Sequence, residues 1–366
     1  MSILQPSDAP LLQFGYSDLK PQSGRSSLLV RALQREGFPI KCLLVHPASR
    51  GKSLQLAWNV LAPPPARVVF LRFPYFPWMV RCAVAIKKKL KAVLVVDAMV
   101  SAYETIVEDR KLCEPGTREA KACIAEDEMV GAAADLLVVD TLTHASDLAG
   151  KWRCGLEKMV CVPVGSPLAE LGSIAAPVHR AGADPVVRVV YLGSYVPLHG
   201  IDVIVGAAAL LQQRAPQVRF KLIGGGQHGE NAKRLADGLT NIEFHPPVSG
   251  DVALAGLVDA DIVLGIFGAS KKAQLVVPFK AFDALALGKP LITARTLGAE
   301  ELLNHQKDAW LVPANPESLA EAILHLASSH ALRFRLSETA SAVYRERFHS
   351  SVAVKPLTKR IVHLLS

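Results

Sequence analysis

Six cysteines, Cys42, Cys82, Cys113, Cys123, Cys154 and Cys161, lie singly along the 366 residues, and no two form a C-x-x-C pair. That spacing argues against a zinc site or a disulfide framework and leaves buried thiols as the expectation. No apolar run approaches the ~18 uncharged residues of a spanning helix. The opening MSILQPSDAP lacks the basic and apolar regions of a signal peptide, so a cytoplasmic protein is expected. Aromatics make up 6% of the chain, and there is no zinc finger, no aromatic RNP-type motif and no long basic tail. No nucleic-acid partner is therefore expected. No G-x-G-x-x-G follows an early strand, which disfavours a nicotinamide dehydrogenase.

Acidic residues are the scarcer charge, 33 against 41 basic ones, giving a formal net charge of +8. The excess suits a polyanionic partner such as a phosphorylated substrate or a membrane surface. Half the residues are hydrophobic, enough for two cores in a chain too long for one. Short apolar runs alternate with helical patterns: LLQFGY, IKCLLVHP, RVVFLRF, AVLVVDA, DLLVVD and MVCVPVG. Such runs predict a parallel sheet covered on both faces. The stretch GSIAAPVHRAGADP breaks the rhythm, which then restarts with VVRVVYLG, VRFKLIGGG, IEFHPP, ADIVLGIF, PLITA and AWLVP. The expected fold is α/β with two facing Rossmann-like, doubly wound domains. Their expected bounds are 1–172 and 187–345, with a linker at 173–186 and a C-terminal helix, 346–366, returning to the first domain. Ligands of open α/β sheets bind at the carboxyl ends of the strands, so function is expected there.

In the second half, LGSYVPLHG, IGGGQHGE and GIFGASKKAQ fall at predicted strand ends. Glycines there let backbone amides approach a ligand, and phosphate is the natural one. The stretch VPFKAFDALALGKPLITA poses a sharper question. Pro278 suits the first turn of a helix of about ten residues, Gly288 its C′ position, and Pro290 prevents continuation. Lys280 and Asp283 then share one face, either as a surface ion pair worth ~0.3 kcal/mol or as a site.

Residues Val189 to Pro313 resemble the donor domain of a family 4 (group 1) glycosyltransferase of GT-B fold. YLGSYVPLHGIDVIVGAA is similar to a branch with histidine in place of the usual lysine, and LGIFGASKKAQLVVPFKAFDALALGKPLITA is similar to the family's PxKxxE…GKPVI segment. By that resemblance Asp283 stands where the second glutamate of E-x7-E binds the nucleotide ribose, and Lys280 stands beside the donor diphosphate. VVDAMVSAYETIVEDRK resembles the branch's acidic and aromatic segment, and VVDTLTHASDLAGKW its DTxxH helix. The sequence departs from the family where Leu275 replaces the first glutamate, Asp283 the second, Ser194 and His199 a basic pair, and Ser23 and Gly24 the early double glycine.

The resemblance implies a retaining transfer from a nucleotide diphosphate sugar to a hydroxyl of a glycan or lipid-linked acceptor, in cell-surface polysaccharide or glycolipid assembly. No D-x-D pair ends a strand, so neither metal nor cofactor is expected, and lysines and helix N-termini are left to stabilise the diphosphate. The catalytic candidates are Asp97, His144, His199 and Lys280. Donor binding is expected from Gly193, Ser194, His199, Gly224, Gly225, Gly268, Lys272, Val277, Lys280 and Asp283, with Lys271 as a further cation. Acceptor binding is expected from Ser101, Tyr103, Glu104 and Arg110, near Asp109. An unperturbed His199 titrates near pH 6.5 and would be drawn to the charged form by a diphosphate; donating neutrally to the sugar is the alternative. For His144 the alternative is a helix-surface histidine. FPWMVRCAVAIKKKLKAVLVV, from Phe76, pairs Trp78 and Met79 with Lys87, Lys88, Lys89 and Lys91. It reads either as an interfacial helix on the inner face of an anionic membrane or as a core helix with a solvated end. A catalytically weak scaffold or partner subunit is the alternative to an enzyme.

Overall fold

The computed structural model describes residues 5–17, 24–45, 60–171, 186–248 and 250–366. All twelve expected strands are present. The first six are β1 (Leu11–Tyr16), β2 (Ile40–Val45), β3 (Val68–Leu71), β4 (Val93–Asp97), β5 (Leu136–Val139) and β6 (Met159–Cys161). They form one parallel sheet in the order β2-β1-β3-β4-β5-β6. The other six are β7 (Val187–Ser194), β8 (Val218–Gly225), β9 (Ile242–His245), β10 (Ile262–Leu264), β11 (Leu291–Ala294) and β12 (Trp310–Val312). Their order is β12-β11-β10-β7-β8-β9, again all parallel.

The central strands β3, β4, β5, β10 and β11 are apolar on successive residues because helices cover both faces of each sheet. In the first sheet Leu12, Val69, Leu71, Leu94 and Val96 point to one core, and Leu11, Val68, Phe70 and Val95 to the other. Adjacent residues on one strand thus enter opposite cores, the two-residue period of a strand. At the second sheet's edge, the outward groups of Leu311 are covered: its N–H donates to His305 Nδ1 at 3.0 Å and its carbonyl accepts from Arg295 Nη2. That blunts strand addition at β12.

The chain divides into two compact units, one of 1–107, 111–163 and 350–366, the other of 108–110 and 164–349. The second unit begins at Val164, ahead of the expected boundary, because the Pro167–Leu171 helix packs on the Phe279–Ala286 helix of that unit. The expected linker up to residue 185, together with Ser23 in the early loop, lies outside the described residues. At the carboxyl end, Tyr344–Phe348 stays with the second unit, and the return to the first begins at Ser350. There Val354, Leu357 and Ile361 enter the core beside β4 and β6.

Candidate functional site

In the second unit the Lys280 helix spans Phe279–Ala286, with Pro278 as its N-cap rather than in its first turn, and Gly288 takes the left-handed φ of 60° at C′. Lys280 and Asp283 are each 5% exposed, which overturns the surface ion pair. The helix is covered on all sides, with every residue from Lys280 to Ala286 buried.

Lys280 Nζ donates to Tyr191 Oη at 2.9 Å and lies 4.1 Å from that ring's centroid. Tyr191 Oη in turn donates to the Ser194 carbonyl at 2.8 Å, and His199 Nδ1 donates to the same carbonyl at 2.5 Å. A Cβ at Gly193, where φ is 152°, would stand 2.6 Å from Lys280 Nζ; one at Gly224, its register partner on β8, would fall 1.8 Å from the Gly193 carbonyl. The ends of β7 and β8 therefore require these two glycines, and the ammonium sits directly behind the loop they form. Burial holds Lys280 well below the usual lysine range, against the pull of Asp283. A buried ammonium offers three N–H donors, and an arriving anion would restore the charge that burial disfavours.

His199 corrects the titrating phosphate ligand expected from sequence. Burial, with Lys280 and Arg110 as further causes, lowers its pKa to about 3, and the Ser194 carbonyl only partly opposes this. Because a carbonyl can only accept, Nδ1 carries the hydrogen, and the neutral ring presents Nε2 as an acceptor. A ligand hydroxyl suits that nitrogen; a phosphate oxygen does not.

Asp283 is also engaged within the unit. Its Oδ1 accepts from Ser166 Oγ at 2.5 Å, and the Leu168 N–H donates to the carboxylate as well. Burial raises its pKa to about 7 despite both donors and Lys280. Of the other donor candidates, Gly225 has room around it, whereas Gly268 packs against the Pro197 and Leu198 carbonyls and serves the turn. Lys272 and Val277 are buried, Ser194 is exposed, and Leu275 is buried at the end of the Lys271–Leu275 helix.

In the first unit the expected acceptor residues are mostly turned inward. Asp97 ends β4 with no exposure, accepting from Ser26 Oγ at 2.6 Å and facing Arg25 Nη1 at 3.5 Å. Ser101 donates to Asp127 Oδ2 at 2.5 Å, and Asp127 also accepts the N–H groups of Ala102 and Tyr103. His144 is no surface histidine: it is fully buried, its Nδ1 2.6 Å from Asp140 Oδ1 and its Nε2 3.0 Å from Glu104 Oε2. Glu104 also pairs with Lys151 at 3.1 Å. Burial would lower the His144 pKa, but the two carboxylates outweigh it and raise it to about 9. His144, through Glu104, holds the segment after β4, with both ring nitrogens taken by carboxylates, whereas Asp97 is tied to the Arg25–Arg35 helix through Ser26 and keeps one oxygen without a hydrogen bond. Tyr103 is half-buried, and Arg110, 37% exposed at its side chain, belongs with the second unit and lies 3.5 Å from Asp109.

Sequence reasoning missed Tyr191, Ser166, Asp127 and Asp140. Only Asp140 left a signal, four residues before His144 at a helix entry. Among the described residues, no group of three His, Cys, Asp or Glu is placed to hold a metal.

Residues 186–329 match the family model Glycosyl transferases group 1. This stretch is similar to the group 1 glycosyl transferases. The chain is 29% identical over 256 residues to the D-inositol 3-phosphate glycosyltransferase of Salinispora arenicola, an alignment spanning 64% of this chain and 56% of that relative. Among solved structures, Anabaena HepE in complex with UDP and glucose superposes with a TM-score of 0.66 at 15% identity, covering 98% of this chain and 100% of that one. The sucrose-phosphate synthase of Thermosynechococcus elongatus superposes with a TM-score of 0.70 at 14% identity, over 97% and 99%. The two parallel six-stranded sheets give this chain the GT-B fold.

Proposed function

We propose that the protein transfers a sugar from a nucleotide diphosphate sugar to a hydroxyl of a glycan or lipid-linked acceptor, with retention and without a metal. The observation that carries this reading is the buried Lys280 ammonium behind the Gly193 and Gly224 loop. An arriving diphosphate restores its charge, which places a positive group where the departing diphosphate needs one, in a setting of low dielectric. Asp283 accepts the ribose hydroxyls, and His199 Nε2 accepts from a hydroxyl of the transferred sugar. Tyr103 and Arg110 are the remaining acceptor-binding residues. HepE, whose structure holds UDP, supports uridine diphosphate as the first nucleotide to test.

The acceptor's setting is proposed to be an anionic membrane surface on the cytoplasmic side. On the Pro77–Leu90 helix, Trp78, Arg81, Ala85 and Lys88 share an exposed face, and Phe76 is exposed at its start. Met79, Val80, Ala83 and Ile86 on the other face fill the core. Apolar and basic groups thus meet water together, the composition of an interfacial helix. No helix among the described residues is long and apolar enough to cross a membrane. A second reading, a weakly catalytic scaffold, draws on the buried Leu275 at the place of an acidic residue. Calorimetry with UDP and GDP, followed by donor turnover, tests the proposal. Binding abolished by Lys280→Met with turnover in the parent supports it, binding without turnover favours the scaffold, and no binding of either nucleotide refutes the donor site.

A further inference from the structure

The Val164–Leu171 stretch closes on the carboxylate assigned to the ribose. Ser166 is fully buried. Its hydroxyl donates to Asp283 Oδ1, its N–H donates to Tyr344 Oη at 3.3 Å, and its oxygen accepts from the Ala169 N–H at 3.0 Å. The hydroxyl hydrogen is therefore committed to Asp283 by a rotor held at both ends. The Leu168 N–H reaches the same carboxylate. An ionised carboxylate has about four acceptor positions, so these two donors leave about two for a ligand. Two is the number that a vicinal pair of ribose hydroxyls requires.

We propose that Ser166 is a positioning residue of the nucleotide site: with the Leu168 N–H it occupies one side of the Asp283 carboxylate, fixes its rotation and keeps it ionised for the ribose. This inference rests on the donor-site reading above. An alanine at 166 would remove a donor that favours the charged form, and a buried carboxyl with fewer donors takes up a proton more readily. A protonated Asp283 has an O–H to donate and fewer lone pairs to accept with, so it serves the ribose less well. The ionisable side chains near this carboxylate are Lys280 on its own helix and Tyr344, which bonds the Ser166 N–H. Strands β10 and β11, which also pack on the helix, carry none, and on the His330–Val343 helix and the Tyr344–Phe348 turn packed against it Arg335, Glu338, Arg345, Glu346 and Arg347 are exposed.

The test is calorimetric titration of the full chain with uridine and guanosine diphosphates from pH 5.5 to 8.5. Parent, Ser166→Ala, Ser166→Thr and Asp283→Ala proteins are compared, each checked by thermal melt. In the parent, affinity should rise with pH through about 7 as Asp283 ionises. Ser166→Ala should move that midpoint upward, so that binding is roughly three- to tenfold weaker at pH 6.5 and converges on the parent at pH 8.5. Ser166→Thr, which keeps the hydroxyl, should restore the parent curve. A merely structural serine would weaken binding equally at every pH and leave the midpoint in place, overturning the proposal. Tighter binding by Ser166→Ala at every pH would also overturn it, by showing that the hydroxyl sits where the ribose belongs. Should Ser166→Ala fail to fold, Ser166→Cys, with its weaker donor, is read by the same criteria. Parent-like binding by Asp283→Ala refutes the donor-site reading itself, a result distinct from an unshifted midpoint in Ser166→Ala.

Discussion

His144 and His199 are both buried at the entry to a helix, one in each unit, and their charges part in opposite directions. Burial pushes both toward neutrality; the neighbours decide the outcome. His144 lies between the Asp140 and Glu104 carboxylates and is raised to about 9, whereas His199 meets a carbonyl and the Lys280 ammonium and is lowered to about 3. The first cluster is closed, with each ring nitrogen bonded to a carboxylate inside the fold. The second is open, with a neutral acceptor nitrogen and a buried ammonium behind a glycine loop. Closed networks stabilise, and open ones are fitted to a ligand.

The sharpest way to break this comparison is Lys280→Met. If the second cluster serves a ligand, nucleotide affinity should fall about a hundredfold, ~3 kcal/mol, while the melting temperature holds or rises because a buried amine whose charge burial disfavours has been removed. A large drop in stability with affinity retained would make Lys280 a structural group like His144. Next in size is His144→Gln, expected to cost about 2 to 3 kcal/mol near pH 6.5 by urea unfolding, with nucleotide affinity unchanged. Because the folded pKa is raised, this contribution is fully present below the unfolded value near 6.5 and is lost as pH climbs through about 9. The parent's stability should therefore decline over that window relative to the variant, and parallel curves would refute the imidazolium.

Gly193→Ala should lower nucleotide affinity about tenfold, ~1.4 kcal/mol, by displacing Lys280 Nζ from a contact of 2.6 Å. Unchanged binding would show that the lysine can move aside. The smallest effect concerns His199, whose ring should stay neutral with the hydrogen on Nδ1 from pH 5 to 8. Imidazole nitrogen shifts by NMR check this, and a midpoint near 6.5 would restore the titrating phosphate ligand.

Strand positions were legible because a parallel sheet covered on both faces demands near-continuous apolar runs, which LLVV in β5 and LITA in β11 supply. The glycine loops and the Lys280 helix were legible from the spacing of Gly193, Gly224, Pro278 and Gly288, residues with special backbone needs. The resemblance of that segment to a known family added its expected ligand. Periodicity places Lys280 and Asp283 on one face but says nothing of what covers that face. Tyr191 lies 89 residues from Lys280 and Ser166 lies 117 from Asp283, distances along the chain that no local pattern spans. The sequence by itself determined the two sheets and where their glycine turns and helices lie, since those follow from steric rules acting within a few residues. Only the tertiary structure decided which histidine is charged, because a pKa is set by desolvation and by charges that folding brings within a few ångströms.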